Sequence, residues 1–147
     1  MTLVTPRIIR MRLTGFPRSQ VSFRSMRLGS ALVYVKDLPR MRAFYSEMLG
    51  VKPSNDTWTD TWAEFDAGGV GFALHAIPPD IASQIEITTP PRARGQIPVK
   101  LIFEVDDVEA ERARLELMGI TMVQRPWGAW DGIDPEGNVF GIRASEN

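Results

Sequence analysis

The chain of 147 residues has no cysteine, one histidine and no long apolar run. Without cysteine there is no disulfide, thiol nucleophile, zinc finger or cysteine-ligated iron–sulfur cluster. No apolar stretch approaches the roughly 18 to 20 residues that cross a bilayer, so no membrane partner is expected. A metal or acid–base site would have to rely on carboxylates and on His75. The length suits one globular domain, which we expect to be cytoplasmic.

The near-neutral charge conceals two regions of opposite character. Residues 1–28 hold six of the 17 basic residues and no acidic one, so the rest of the chain carries 11 basic and 18 acidic side chains. This leaves a net charge of −7 on the body of the protein. An acidic body is not expected to bind nucleic acid.

Three interpretations of the basic leader, residues 1–28, are open. An arginine-rich, acid-free composition is typical of an organelle transit peptide. The alternation of Ile9, Met11 and Leu13 with polar residues indicates an extra hairpin or an arm that crosses to a partner. In the third interpretation Met26 is the natural start, and the preceding residues do not belong to the native protein.

The body of the chain, residues 29–147, contains one unit twice. The runs ALVYVKDLPRMRAFYSEMLG and LIFEVDDVEAERARLELMG each indicate a strand, an aspartate that caps a helix, and a glycine that ends it. Three strand-like stretches separated by turn residues follow each helix. The sequence therefore predicts an α+β domain of two βαβββ modules, residues 29–78 and 99–144, joined by a proline-rich linker at 79–98.

Apolar spacing predicts which side of each helix is buried. In the first helix the apolar positions follow i, i+3, i+4, i+7, i+8, and they are Met41, Phe44, Tyr45, Met48 and Leu49. In the second helix the positions expected to face inward are Val108, Ala113, Leu117 and Met118. The charged residues of the second helix are expected to form a solvated face.

The run VYVKDLPRMRAFYSEMLGV resembles the first module of the vicinal oxygen chelate superfamily, also called the glyoxalase, bleomycin-resistance and extradiol-dioxygenase family. The second half adds FEVDDVEAERARLELMG, a Pro-Trp-Gly turn and Asp-Pro-Glu-Gly-Asn, a frequent final hairpin of that family. The resemblance implies mixed sheets that curl into a cup for a ligand, commonly in a homodimer. Members that are enzymes hold a divalent metal in the cup with His, Gln or Glu ligands.

The resemblance also says where the metal ligands would stand. The four matching positions are Ser30, Ala73, Lys100 and Gly141. None supplies a donor of the expected kind, and a lysine places a cation where a dication would sit. We therefore expect no bound metal and no other cofactor.

Strand alternation predicts which other side chains share the cup. The candidate ligand-binding residues are Tyr34, Trp62, His75, Lys100, Glu104, Trp127, Trp130 and Arg143. His75 and Glu104 are also the candidate catalytic residues; His75 fits a general base or a hydrogen-bond donor to the ligand, and it also fits a histidine satisfied at a strand end. Lys100 and Glu104 fit an anion anchor and a proton acceptor, or else a structural ion pair that fills an unused metal site. The tryptophans suit a planar or hydrophobic ligand, or else they plug the cup or form a subunit interface.

Three functions are compatible with this pattern. The first is a metal-free protein that binds or sequesters a small, planar or hydrophobic molecule. The second is a lyase, isomerase or dioxygenase of the same superfamily, either metal-dependent or using His75 and Glu104. In the third, the cup is vestigial and the sheet serves assembly. The sequence does not name the ligand.

Overall fold

The computed structural model describes residues 28–54 and 58–146, so the hairpin or arm predicted within residues 1–27 lies outside the described residues. In chain order the elements are β1 Ser30–Val35, α1 Leu38–Ala43, a π-helical turn Phe44–Met48, β2 Lys52–Pro53, β3 Trp62–Asp66, β4 Gly71–Ala76, α2 Pro79–Ala82, β5 Leu101–Val105, α3 Val108–Leu117, β6 Val123–Gln124, β7 Trp130–Ile133 and β8 Val139–Ala144. Both halves thus contain the predicted order of one strand, one helix and three strands.

Each half forms a four-stranded mixed sheet, and the two sheets have the same topology. The strand orders are β1-β4-β3-β2 in the first sheet and β5-β8-β7-β6 in the second. The pairs β1–β4 and β5–β8 are parallel, and the other pairs are antiparallel. This confirms the predicted α+β fold of two βαβββ modules. Within the described residues both sheets are open, with β1 and β2 as the edge strands of the first sheet and β5 and β6 as those of the second.

Helix α1 follows the predicted pattern. Asp37 caps it by accepting a hydrogen bond from the Arg40 N–H at 3.1 Å. Of the predicted inward positions, Met41, Phe44 and Tyr45 are buried and Met48 and Leu49 are partly buried. The helix then widens into the π-helical turn, where the Leu49 N–H donates to the Phe44 carbonyl at 3.0 Å.

The predicted buried face of α3 is wrong at the C-terminal end of the helix. Leu117 is 90% exposed and Met118 is 40% exposed, whereas Leu115 is fully buried. Val108 packs against the core, and Leu115 lies seven residues further along, so both face the same side of the helix. Leu117 follows Leu115 by two residues, which turns it about 200° around the axis and into solvent.

The helix-bearing sides of the two sheets share one hydrophobic core. Tyr45 contacts Phe72 of the first sheet, with ring centroids 4.9 Å apart, and Phe103 of the second sheet at 6.4 Å. Phe44 contacts Phe140 of the second sheet at 5.9 Å. Core-facing residues of both sheets therefore pack together within the chain, and the opposite faces of the sheets lie outside this core.

A buried carboxylate in the turn between β7 and β8 fastens the second module to α1. Asp134 is fully buried and accepts hydrogen bonds from the Tyr45 hydroxyl at 2.8 Å and from the Glu136 and Asn138 N–H groups, both at 2.9 Å. Burial, and then the neighbouring Asp134 charge, raises the pKa of the Tyr45 hydroxyl well above its ordinary value. The hydroxyl therefore stays protonated and donates to Asp134.

Glu136 makes a second link between the modules. Its nearly buried carboxylate accepts hydrogen bonds from the Lys36 N–H at 2.7 Å and from the Asp37 N–H at 2.8 Å. These two N–H groups lie just before the first turn of α1, where helix donors have no partner within the helix. Glu136 therefore satisfies backbone groups of the first module from the second module.

The segment predicted as a linker contains α2 and is held against the second module. The Arg94 N–H donates to the Gly137 carbonyl at 3.0 Å, and Arg94 Nε donates to the Glu136 carbonyl at 3.0 Å.

No helix in the described part of the chain is both long and apolar enough to span a membrane.

Candidate functional site

Strand register defines the face of each sheet that points away from the shared core. In the first sheet this face carries Ser30, Leu32, Tyr34, Lys52, Trp62, Glu64, Asp66, Gly71, Ala73 and His75, and we call it the first cup face. In the second sheet it carries Ile102, Glu104, Val123, Asp131, Ile133, Val139, Gly141 and Arg143, and we call it the second cup face. Lys100 and Arg125, next to β5 and β6, join this face through their contacts with Asp131. Among the described residues, no hydrogen bond, ion pair or aromatic contact joins one cup face to the other.

Three predicted site residues meet on the first cup face as an aromatic patch. Register pairs His75 with Tyr34 on one side and with Trp62 on the other. The ring centroids of Tyr34 and His75 are 5.6 Å apart, and those of Trp62 and His75 are 5.7 Å apart in an edge-to-face arrangement. Tyr34 is 62% exposed, so the patch offers an open aromatic surface.

The surroundings of His75 in the aromatic patch favour one tautomer of its neutral ring. Its Nδ1 lies 2.8 Å from the Ala76 carbonyl oxygen. Because a carbonyl oxygen only accepts, Nδ1 carries the proton, and in the neutral ring Nε2 is left as an acceptor. No residue in the described part of the chain hydrogen-bonds to Nε2. His75 can therefore accept a hydrogen bond, or a proton, from a molecule lying on the patch.

On the second cup face, a buried carboxylate holds two cations. Asp131 is 4% exposed, and its Oδ1 lies 2.6 Å from Lys100 Nζ while its Oδ2 lies 2.6 Å from Arg125 Nε. The contact with Arg125 is a hydrogen bond, whereas the contact with Lys100 is an ion pair without hydrogen-bond geometry. Asp131 and Arg125 were not among the predicted site residues.

Lys100 and Glu104 do not form the ion pair that was one interpretation of the sequence. Four residues along a strand separate side chains by about 13 Å, so cross-strand neighbours are closer. Glu104 instead binds Arg143, its register partner on β8, at 2.8 Å. Both members of this pair are largely exposed, and the pair contributes little to stability.

The other predicted tryptophans occupy different environments. Trp130 pairs in register with Ile142 and lies on the helix-bearing side, where its indole N–H donates to Glu109 at 3.0 Å and Arg112 stacks over its ring at 5.0 Å. The structure therefore places Trp130 away from the cup faces, and helix packing explains it. Trp127 is 71% exposed in the turn between β6 and β7.

A match to a protein-family model shows which family the chain belongs to. The family model of the glyoxalase-like domain matches residues 30–143, which covers both modules. The chain belongs to the glyoxalase-like domain family. The resemblance found in the sequence is thereby confirmed. No curated protein matches this glyoxalase-like chain.

Solved structures share the fold of this glyoxalase-like chain at low sequence identity. A glyoxalase/bleomycin resistance protein/dioxygenase from Nocardioides is 21% identical with a TM-score of 0.61, and the match covers 86% of this chain and 87% of that one. A lactoylglutathione lyase from Agrobacterium tumefaciens is 22% identical with a TM-score of 0.57, covering 81% and 93%. TnmS3, an antibiotic binding protein from Streptomyces sp. CB03234, is 24% identical with a TM-score of 0.57, covering 84% and 98%. At these identities the likeness concerns the fold alone.

The residues at the family's metal positions do not fit a metal. Lys100 brings an ammonium group already paired with Asp131, while Ala73 and Gly141 bring no donor atom. Within residues 28–54 and 58–146, no group of three or more His, Asp or Glu side chains could hold an ion. Divalent metals need several oxygen or nitrogen donors, and Ser30 alone does not provide them.

Two clefts of this glyoxalase-like chain lie away from the aromatic patch, although both are lined in part by residues of the cup faces. A cleft of about 620 Å³ opens between the edge strands β1 and β5 and is lined by core-facing residues such as Ala31, Phe72 and Phe103. Its rim reaches the Glu104–Arg143 pair. A second cleft of about 380 Å³ lies between α1 and the turn that follows α3. The predicted aromatic site is in neither cleft, since it is an open sheet surface.

Proposed function

We propose that this glyoxalase-like protein binds a small, planar, hydrophobic molecule in its cup without the help of a metal. The aromatic patch of Tyr34, His75 and Trp62 carries the proposal. Its rings are held at fixed spacing by strand register, and a planar ligand can stack on them while His75 Nε2 accepts one hydrogen bond.

The side chains at the metal positions support binding without a metal. A lysine ion pair, a glycine and an alanine occupy places where metal-dependent members need ligands. The fold itself is compatible with such a role, since TnmS3, which has this fold, is an antibiotic binding protein. The predicted cytoplasmic location and the absence of nucleic-acid and membrane partners stay expectations from composition.

A homodimer would complete the cup. Ligand sites commonly enclose most of a small molecule, which one open sheet face does not achieve. The helix-bearing faces already pack within the chain, and the cup faces expose apolar side chains, with Leu32 at 42% and Ile102 at 53%. Charged side chains give the first cup face a net charge of −1 and the second +1. We propose that the first cup face of one copy meets the second cup face of another.

The aromatic patch is tested by replacing Trp62 with alanine. The probe is N-phenylnaphthylamine, a neutral planar molecule whose fluorescence rises in apolar surroundings. We expect the wild-type protein to bind it and Trp62→Ala to weaken binding by about tenfold, because one stacking surface is lost. A fluorescence titration measures both dissociation constants.

The matched control is Trp130→Phe, which alters a tryptophan on the helix-bearing side and should leave probe binding unchanged. Circular dichroism checks that both variants are folded. If the wild-type protein does not bind the probe, or if the two substitutions weaken binding equally, the proposed site is wrong.

A metal-free acid–base catalyst is the second candidate, favoured by the free acceptor on His75 Nε2. It would use the same patch, with His75 taking a proton from a bound substrate. If the wild-type protein converts a bound substrate, and His75→Gln loses this turnover but still binds the probe, the protein is a catalyst of this kind and not only a binding protein.

A further inference from the structure

The Lys100 side chain lies against Gly141 on the second cup face. A side chain on Gly141 would begin 3.2 Å from Lys100 Cε and 3.3 Å from Asp131 Oδ1, so the lysine stem lies close against the glycine on the sheet. The Lys100 side chain is 31% exposed, whereas the carboxylate that holds it is nearly buried. Asp131 thus holds the Lys100 ammonium group against the sheet, and the lysine side chain remains partly exposed to solvent.

The group formed by Lys100, Asp131 and Arg125 has an excess positive charge. One carboxylate serves two cations, which leaves a net charge of +1. Among the described residues, the only acceptor within reach of Lys100 Nζ is Asp131 Oδ1, so the ammonium retains donors for another acceptor. Because the carboxylate already restrains both cations, little side-chain freedom is lost when an anion binds.

Apolar surface lies beside this charge. Ile102 Cγ1 is 3.6 Å from the point where a side chain on Gly141 would begin, and Ile102 is more than half exposed. A ligand suited to this surface combines a flat apolar body with one acidic group.

We propose that Lys100, held by Asp131, anchors a negatively charged group of an aromatic acid. The protein's own cation thereby binds the kind of ligand oxygen that a metal would otherwise bind. The inference rests on the proposed function, since it names the chemical class of ligand for the same cup. A carboxylate, sulfonate or phenolate would make charge-assisted hydrogen bonds to the ammonium group.

Two matched probes test the anchor. Anilinonaphthalene sulfonate has the same aromatic framework as N-phenylnaphthylamine and one added sulfonate. We expect the wild-type protein to bind the sulfonate about tenfold more tightly than the neutral probe, as a hydrogen bond to a charged group implies. In Lys100→Met this preference for the sulfonate should vanish, while Lys100→Arg should keep it.

Lys52→Met is the control, because it removes one positive charge from the other cup face. Equal affinities of the wild-type protein for the two probes, or an equal loss of preference in Lys52→Met and Lys100→Met, would overturn the anchor. Failure of the neutral probe alone to bind would contradict the aromatic patch but leave the anchor standing if sulfonate binding still depends on Lys100. Failure of both probes to bind would overturn both proposals.

Discussion

Asp134→Ala is expected to lower the free energy of unfolding by about 3 to 5 kcal/mol. The substitution removes the acceptor of the buried Tyr45 hydroxyl and of two backbone N–H groups in the turn between β7 and β8. Buried donors that lose their partner are costly because they also lack water. Tyr45 does not escape the cost by ionising, since burial, the largest cause of its raised pKa, does not depend on Asp134.

The corresponding hairpin of the first module supplies the control for Asp134. Asp66 accepts one hydrogen bond, from the Gly69 N–H at 2.7 Å, in an exposed turn. Asp66→Ala should cost about 1 kcal/mol. Urea denaturation followed by circular dichroism measures both variants. Equal costs would show that the buried network does not join the modules as described.

Ile102→Asp is expected to leave a monomer that no longer binds N-phenylnaphthylamine, although Ile102 contacts no residue of the aromatic patch. In the proposed homodimer, Ile102 belongs to the second cup face, which meets the first cup face of the other copy. A carboxylate there would replace apolar contact with a charge that loses its water at the interface, which weakens self-association by about a hundredfold or more. Light scattering after gel filtration and the probe titration measure the two effects.

Leu117→Asp is the matched control for Ile102→Asp, because Leu117 is 90% exposed on α3 and lies on neither cup face. That variant should stay dimeric and bind the probe normally. A wild-type protein that is monomeric while it binds the probe would refute the shared cup. So would an Ile102→Asp variant that keeps both properties.

The sequence was sufficient for the fold because its signals are local. Helix caps at Asp37 and Asp107, turn residues after each strand and the repeated order of elements all lie within short stretches. The buried face of α3 was not predictable in this way. Its few apolar residues fit more than one face, and the position of the sheet selects Leu115 over Leu117.

The candidate site was predictable only in part. Alternation was enough to place Tyr34 and His75 on one face, because register between parallel strands keeps paired residues together. The partners of Lys100 and Glu104 depend on which strands become neighbours, so Asp131 and Arg143 could not be assigned to them from spacing alone. The prediction that Trp130 binds ligand in the cup was wrong. Its contacts with Glu109 and Arg112 of α3 depend on how the helix packs on the sheet, which spacing in the sequence does not show.

The metal content of the protein tests the central claim most directly. Protein purified without added metal, and then incubated with Mn²⁺, Fe²⁺, Ni²⁺ or Zn²⁺ and passed through gel filtration, is measured by elemental analysis. The cup described here predicts no stoichiometric metal before or after incubation, because Lys100, Ala73 and Gly141 offer no suitable donor. One tightly held ion per chain would contradict it.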